Sequence, residues 1–317
     1  MRFVLFCLSI LSLLLAGCQP AAPPFRGSAT VIPETAAVLI AQDPSWGHTE
    51  GPAVDSKGTL YFTSRGSFKG IVSWTAKEGA KPYLAVATKE GPGGLWIDDQ
   101  DFIYLTATGE GKILKVSPDK KVTVVAEKFD AMPAGVSKGP NDLVVHPNGT
   151  VYFTAPNGYD GTAPKGTIYE IPPGGKAKVF SQEITGPNGI ILSPDGRTLY
   201  VAHNTALNTS KIVSFDLSQD GTHSRAREVA TIEPCQADGM DVEEAGNLWL
   251  TCYSHGTAYR MTPAGQILEK ITTEQKALTN IKFGRGADNR TLYLTSSDMA
   301  RATGYVYKAA AKATGVR

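Results

Sequence analysis

The chain has 317 residues, of which 33 are Gly and 20 are Pro, and a formal net charge of +1. No Lys/Arg cluster stands out, so nucleic-acid binding has no electrostatic footprint. No helical apolar period is sustained anywhere, which leaves one all-β domain of ordinary core size.

At the N-terminus, Arg2 precedes an apolar run from Phe3 to Leu15. That run is too short to span a bilayer and has the form of a secretory signal. It ends in Leu15-Ala16-Gly17-Cys18, similar to a bacterial lipobox, in which cleavage leaves the cysteine as a lipidated first residue. Residues 1–17 are therefore expected to be a lipoprotein signal peptide and Cys18 a lipidation site. Residues 18–28 form a Pro-rich tether with too little apolar content to pack. The folded domain is expected over residues 29–317. The reading is an exported lipoprotein of the bacterial cell envelope, held to a membrane through its N-terminal lipid. Gln19 after the cysteine points to an outer membrane where two are present.

Six segments then begin almost alike: Glu50-Gly-Pro-Ala-Val, Gly93-Gly-Leu-Trp-Ile, Asn141-Asp-Leu-Val-Val, Asn188-Gly-Ile-Ile-Leu, Asp238-Gly-Met-Asp-Val and Asn280-Ile-Lys-Phe. Each passes through a turn into a second apolar run, from Leu60-Tyr-Phe in the first to Leu292-Tyr-Leu in the last. Aligned on Gly58, Asp101, Gly149, Gly196, Gly246 and Asn289, the spacings are 43, 48, 47, 50 and 43 residues. Repeats of about 40–50 residues built from short strands predict a six-bladed β-propeller of four-stranded antiparallel blades. Third strands such as Thr167-Ile-Tyr-Glu-Ile alternate apolar and polar residues, as half-buried antiparallel strands do. Only five fourth strands follow their own blade. The sixth is expected from Thr30-Val-Ile or Ala37-Val-Leu-Ile, which would close the ring and remove its open edge.

Strand direction places the chemistry. The start of each first strand and the end of each second strand share one face, while tight turns such as Pro147-Asn-Gly and Pro194-Asp-Gly occupy the other. Of the four cysteines, Cys7 would leave with the signal and Cys18 would carry lipid. Cys235 and Cys252 remain, in a compartment where disulfides persist. A hairpin turning near Gly246 brings them near one end of a blade, as a disulfide or as two buried thiols. No CxxC zinc pattern occurs.

Glu50, Asn141, Asn188 and Asp238 sit at one equivalent position of four blades. Two carboxylates and two amide carbonyls make an all-oxygen set suited to a hard divalent cation, with Ca²⁺ favoured over Mg²⁺ by flexible geometry. Without a cation, Glu50 and Asp238 would repel across a narrow channel.

The same residues carry a resemblance. Glu50-Gly-Pro, Pro140-Asn-Asp with His146-Pro-Asn-Gly, Gly186-Pro-Asn-Gly with Ser193-Pro-Asp-Gly, and Asp238-Gly-Met are similar to the SMP-30/gluconolactonase family. The resemblance implies a calcium-dependent hydrolase of lactones or, in some branches, phosphotriesters. It implies Glu50, Asn188 and Asp238 as metal ligands, Asn141 as the asparagine reaching metal or substrate, and Asp238 as general base. One departure matters. Several sugar-lactone members place an Arg two residues before the equivalent of Asn141, where this chain has Gly139.

Around the mouth, His203 and Asn280 are expected substrate contacts, with His48, His255, Tyr159, Trp96 and Arg65 as further candidates. Lys89 and Glu90 read as exposed loop. No Gly-x-Ser-x-Gly and no Gly-rich phosphate loop occurs, so neither a serine hydrolase nor a nucleotide cofactor is expected. The alternative to a hydrolase of a small lactone or ester is a non-catalytic propeller that binds a ligand or protein and uses its metal structurally.

Overall fold

The structure is a computed structural model that describes residues 32–127, 129, 139–162, 165–218 and 221–316. The readings for residues 1–28, Cys18 among them, lie outside the described residues.

Six β-sheets follow one another along the chain as the blades of a propeller. Blade one begins with Thr49–Val54 and Leu60–Arg65, blade two with Leu95–Ile97 and Ile103–Ala107, and blade three with Leu143–Val145 and Val151–Ala155. Blades four, five and six open with Pro187–Leu192, Gln236–Val242 and Ala277–Phe283. Pairing within each blade is antiparallel, and the hairpins turn where Gly58, Gly149, Gly196 and Gly246 hold positive φ.

The ring closes with Val38–Asp43, which pairs antiparallel with Gly304–Ala310 as the outer strand of blade six. Of the two segments expected for this role, the one beginning at Ala37 supplies it. The preceding strand, Glu34–Ala36, pairs parallel with Ile267–Thr272 as a fifth strand on blade five, a feature the sequence pattern did not announce.

Alternation delivers the core. Blade faces pack on one another through buried second-strand residues such as Phe62, Leu105, Phe153, Val201, Leu250 and Leu294. Phe153 and Tyr169 stack with ring centroids 4.9 Å apart. Within blade five, Cys235 and Cys252 form a disulfide with Cα atoms 5.0 Å apart, and both are fully buried.

Candidate active site at the channel mouth

Strand register sorts the channel residues into two rings. The residue facing the middle of the second strand is apolar in most blades: Leu95 faces Leu105, Leu143 faces Phe153, Ile190 faces Val201, Met240 faces Leu250 and Ile281 faces Leu294. In blade one, Ala53 faces Tyr61, which sets Pro52 level with them. Two residues earlier lies an outer ring of Glu50, Gly93, Asn141, Asn188, Asp238 and Thr279. One residue earlier lies an inner ring of Gly51, Gly94, Asp142, Gly189, Gly239 and Asn280. The likeness of the strand starts sets Asn280, which opens its segment, level with Glu50. The strand register moves it one residue deeper, and Thr279 takes the outer place.

Threonines lock the outer ring. Thr63 Oγ1 donates to the Gly93 carbonyl at 2.8 Å, Thr106 Oγ1 to Asn141 at 2.8 Å, Thr154 Oγ1 to Asn188 at 2.8 Å and Thr251 Oγ1 to Thr279 at 2.8 Å. Each bond runs from one blade to the next and fixes the backbone of a channel residue. Blade four has Ala202 at that place, and Asn204 Nδ2 makes the link instead, donating to the Ala237 carbonyl at 2.9 Å.

The inner ring is mostly glycine because there is no room for more. A Cβ on Gly94 would stand 2.2 Å from Asp142 Oδ1, and one on Gly239 would stand 2.1 Å from Asn280 Oδ1. Asp142 and Asn280 fill the space that the glycines leave. Asn280 Nδ2 donates to Asp142 Oδ2 at 3.3 Å, while Asp142 Oδ1 and Asn280 Oδ1 each accept the N–H of the following residue at 2.9 Å.

Three carboxylates are thereby held together in a buried channel: Glu50, Asp142 and Asp238 are only 8%, 7% and 8% exposed. Burial, then the Glu50 charge, raises Asp142 to about 7. Burial, then the charges of Glu50 and Asp142, raises Asp238 well above the ordinary carboxylate range. Asn141 donates through Nδ2 to Tyr159 Oη at 2.8 Å. His48 bridges two groups: its Nδ1 lies 3.0 Å from Ser297 Oγ and its Nε2 lies 3.4 Å from Glu50 Oε1. Burial holds this imidazole below its usual range against the pull of Glu50.

Among the described residues no three His, Cys, Asp or Glu side chains form a compact metal cluster. The donors that converge here are of mixed type, carboxylate and amide carbonyl. Asn188 Oδ1 is buried and accepts no hydrogen bond, a cost that proteins seldom leave unmet. An unsatisfied amide oxygen beside carboxylates that resist ionisation suits a hard cation, which would accept the lone pair and favour the charged forms together.

Other expected residues lie elsewhere. His203 takes the N–H of Thr185 at Nε2, 3.2 Å away. Burial, then Lys211, lowers His203 to about 4, and Glu228 and Lys165 are the other charges acting on it. None of these is a channel carboxylate. Strand alternation turns the neighbouring Asn204 inward and His203 away, so the expected substrate role for His203 finds no support in its surroundings. His255 Nδ1 stays with the Tyr253 carbonyl at 3.3 Å. Trp96 lines a cavity of 310 Å³ at the opposite, tight-turn end, between Pro147, Pro194 and Phe283. Lys282 there lies 4.2 Å from the Trp96 ring centroid and pairs with Asp241 at 3.0 Å.

Sequence reasoning missed Asp142. Its position inside Pro140-Asn-Asp was visible, but alignment on the turns drew attention to Asn141 alone.

A six-bladed propeller with an acidic, oxygen-lined channel mouth defines a recognisable class. The chain belongs to the SMP-30/gluconolactonase/LRE-like family, whose model matches residues 48–298. It is 25% identical over 294 residues to the gluconolactonase of Zymomonas mobilis, covering 82% of this chain and 78% of that protein. To the 6-deoxy-6-sulfogluconolactonase of Pseudomonas putida it is 33% identical over 125 residues, covering 38% of this chain and 42% of that protein. Among solved structures, a gluconolactonase from Xanthomonas campestris superposes with a TM-score of 0.67 at 23% identity, covering 92% of this chain and 99% of that one. The calcium-binding protein regucalcin from Agrobacterium tumefaciens superposes with a TM-score of 0.70 at 21% identity, covering 92% and 100%.

Proposed function

We propose that this chain is a Ca²⁺-dependent lactone hydrolase whose active centre is the outer ring of the channel. One observation carries the reading: buried Asn188 Oδ1 lacks a partner beside Asp238, where burial and two other carboxylates disfavour ionisation. The names of the relatives support the reaction class, and the calcium-binding regucalcin structure supports the metal.

Glu50, Asn188 and Asp238 would hold the cation, with Asn141 at its edge. When bound, the cation supplies Lewis acidity toward a carbonyl oxygen. The protein's own groups do the rest. Asn141, fixed by Tyr159, positions the lactone. Asp238 takes the proton of an attacking water as the new C–O bond forms, then returns it to the alkoxide released when the ring C–O bond breaks. His48, held by Ser297, steadies the Glu50 carboxylate. An envelope location through lipid on Cys18 belongs to the same proposal and follows from the sequence motif.

The test is a lactone panel followed by proton release, with calcium supplied and withdrawn. Asp238→Asn is expected to lose hydrolysis by at least about a thousandfold while keeping the wild-type circular dichroism spectrum. Full turnover in that variant with calcium present would refute the assigned role. Calcium binding in the wild type without hydrolysis of any lactone would favour a non-catalytic binding propeller.

A further inference from the structure

Two arginines reach the channel mouth from adjacent blades. Arg65 ends the second strand of blade one, and Arg301 lies in the loop after the second strand of blade six. Their loops meet over Gly47. A Cβ there would stand 2.8 Å from the Gly66 Cα and 3.2 Å from the Arg301 carbonyl oxygen, so both loops pack on Gly47.

Contacts lead inward from Arg301 to the centre. Its Nε and Nη2 each donate to Tyr253 Oη at 3.3 Å, with the guanidinium 5.8 Å from that ring's centroid. The Tyr253 ring lies 6.4 Å from the His48 ring, and His48 Nε2 lies 3.4 Å from Glu50 Oε1. Among the described residues no carboxylate forms an ion pair with Arg301; its side-chain hydrogen bonds go to the Tyr253 hydroxyl, and the carboxylates whose charges act on it are Asp238 and Glu50. Arg65 is only loosely neutralised, with Nη2 3.6 Å from Glu90 Oε2 on the solvent side. The charges of both arginines act on His48 and on Tyr159, so both face the channel mouth, and their planar donor sets match carboxylate, sulfonate or phosphate oxygens.

We infer that Arg301 and Arg65 form an anion subsite at the rim, so that the lactone this chain takes carries a negatively charged group away from its ester. The inference deepens the lactonase reading and rests on it for the word substrate, while the anion subsite is testable by binding alone. Tyr253 is its floor and orients Arg301 through the two hydrogen bonds to its hydroxyl. Recognition of the charged group thereby comes from blades six and one.

The probes are glucarate against sorbitol for binding, and glucarolactone, which carries a carboxylate, against gluconolactone for turnover. In calorimetric titration of the full chain with calcium present, glucarate is expected to bind and sorbitol to bind far more weakly. Arg301→Gln should lower glucarate affinity about tenfold to hundredfold, the usual worth of a charge-assisted contact. Arg65→Gln should lower it less, and Arg301→Lys should restore part of the loss. The ratio of kcat/KM for glucarolactone to that for gluconolactone should fall at least tenfold in Arg301→Gln. Unchanged glucarate affinity and an unchanged ratio in Arg301→Gln would overturn the subsite. A wild type that hydrolyses neither lactone yet loses glucarate binding on Arg301→Gln would overturn the lactonase reading and leave the subsite standing.

Discussion

Asn280 Nδ2 donates to Asp142 Oδ2 at 3.3 Å across a separation of 138 residues. The bond joins blades three and six, which face one another across the ring, so it bars the channel directly beneath the outer-ring ligands. Above the bar lie Glu50, Asn188 and Asp238; the cavity lined by Trp96 and Phe283 lies at the other end.

The bar should be visible in the pH dependence of stability. Asp142 is raised from 3.8 to about 7 by burial and by Glu50. The folded state therefore binds a proton that the unfolded chain has already lost. Below about pH 4 the group contributes its full share, and that share is lost as pH rises through about 7. The loss is on the order of 4 kcal/mol for this one group. Metal-free protein in chelator is expected to melt at lower temperature at pH 8 than at pH 5, and Asp142→Asn should flatten that slope. Superimposable melting curves for wild type and variant across this range would contradict the assignment.

Calcium should reverse the trend. A cation favours the ionised forms of Asp142 and Asp238, so it competes with the protons that burial retains there. Its stabilisation is expected to be larger at pH 8 than at pH 5, reaching about 2.7 kcal/mol at a hundredfold excess over Kd. Differential scanning fluorimetry at both pH values, with calcium and with chelator, measures it. Equal stabilisation at both would mean that the ion sits away from the carboxylates.

The legibility of this site divides along physical lines. Repeat spacing and turn chemistry made the blades and the outer ring readable, because Glu50, Asn141, Asn188 and Asp238 are unlike the apolar residues expected at strand starts. The inner ring was hidden. Gly94, Gly189 and Gly239 look like ordinary turn glycines, and the bulge between Leu278 and Asn280 shifts the register by an amount that spacing cannot reveal. His203 poses a related difficulty: one step along a strand decides which of His203 and Asn204 faces inward. Arg301 left no repeat signal, since its loop has no counterpart of equal length in the other blades.

Gly189 offers a test of how tight the packing is. A Cβ there would stand 2.1 Å from the Asp238 carbonyl oxygen, which is backbone and cannot swing aside. Gly189→Ala should cost roughly 1–3 kcal/mol through overpacking and weaken calcium binding about tenfold by displacing Asp238. Calorimetric titration beside a thermal melt separates the two effects. Unaltered calcium affinity would show that Gly189 is conformational filler only.

The Cys235–Cys252 bridge closes a short loop, with a sequence separation of 17. Chain entropy assigns such a loop about 3 kcal/mol, or roughly 6–12 °C in Tm for a domain of this size. Cys252→Ala, or wild type melted in reductant, should show that drop while the calcium titration of the surviving folded protein keeps its midpoint. A Tm insensitive to reductant would mean that packing of the hairpin around Gly246 suffices without the crosslink.

The pairing of Val38–Asp43 with Gly304–Ala310 gives this protein a particular history at every synthesis. Val38 has its partner at Lys308, so the outer strand of blade six cannot make its ladder until Gly304–Ala310 has been synthesised. The slowest contact to form is thus the one that seals the ring. Until Gly304–Ala310 folds beside Val38–Asp43, blade six keeps an unpaired edge, the part of a propeller through which one copy could pair with another.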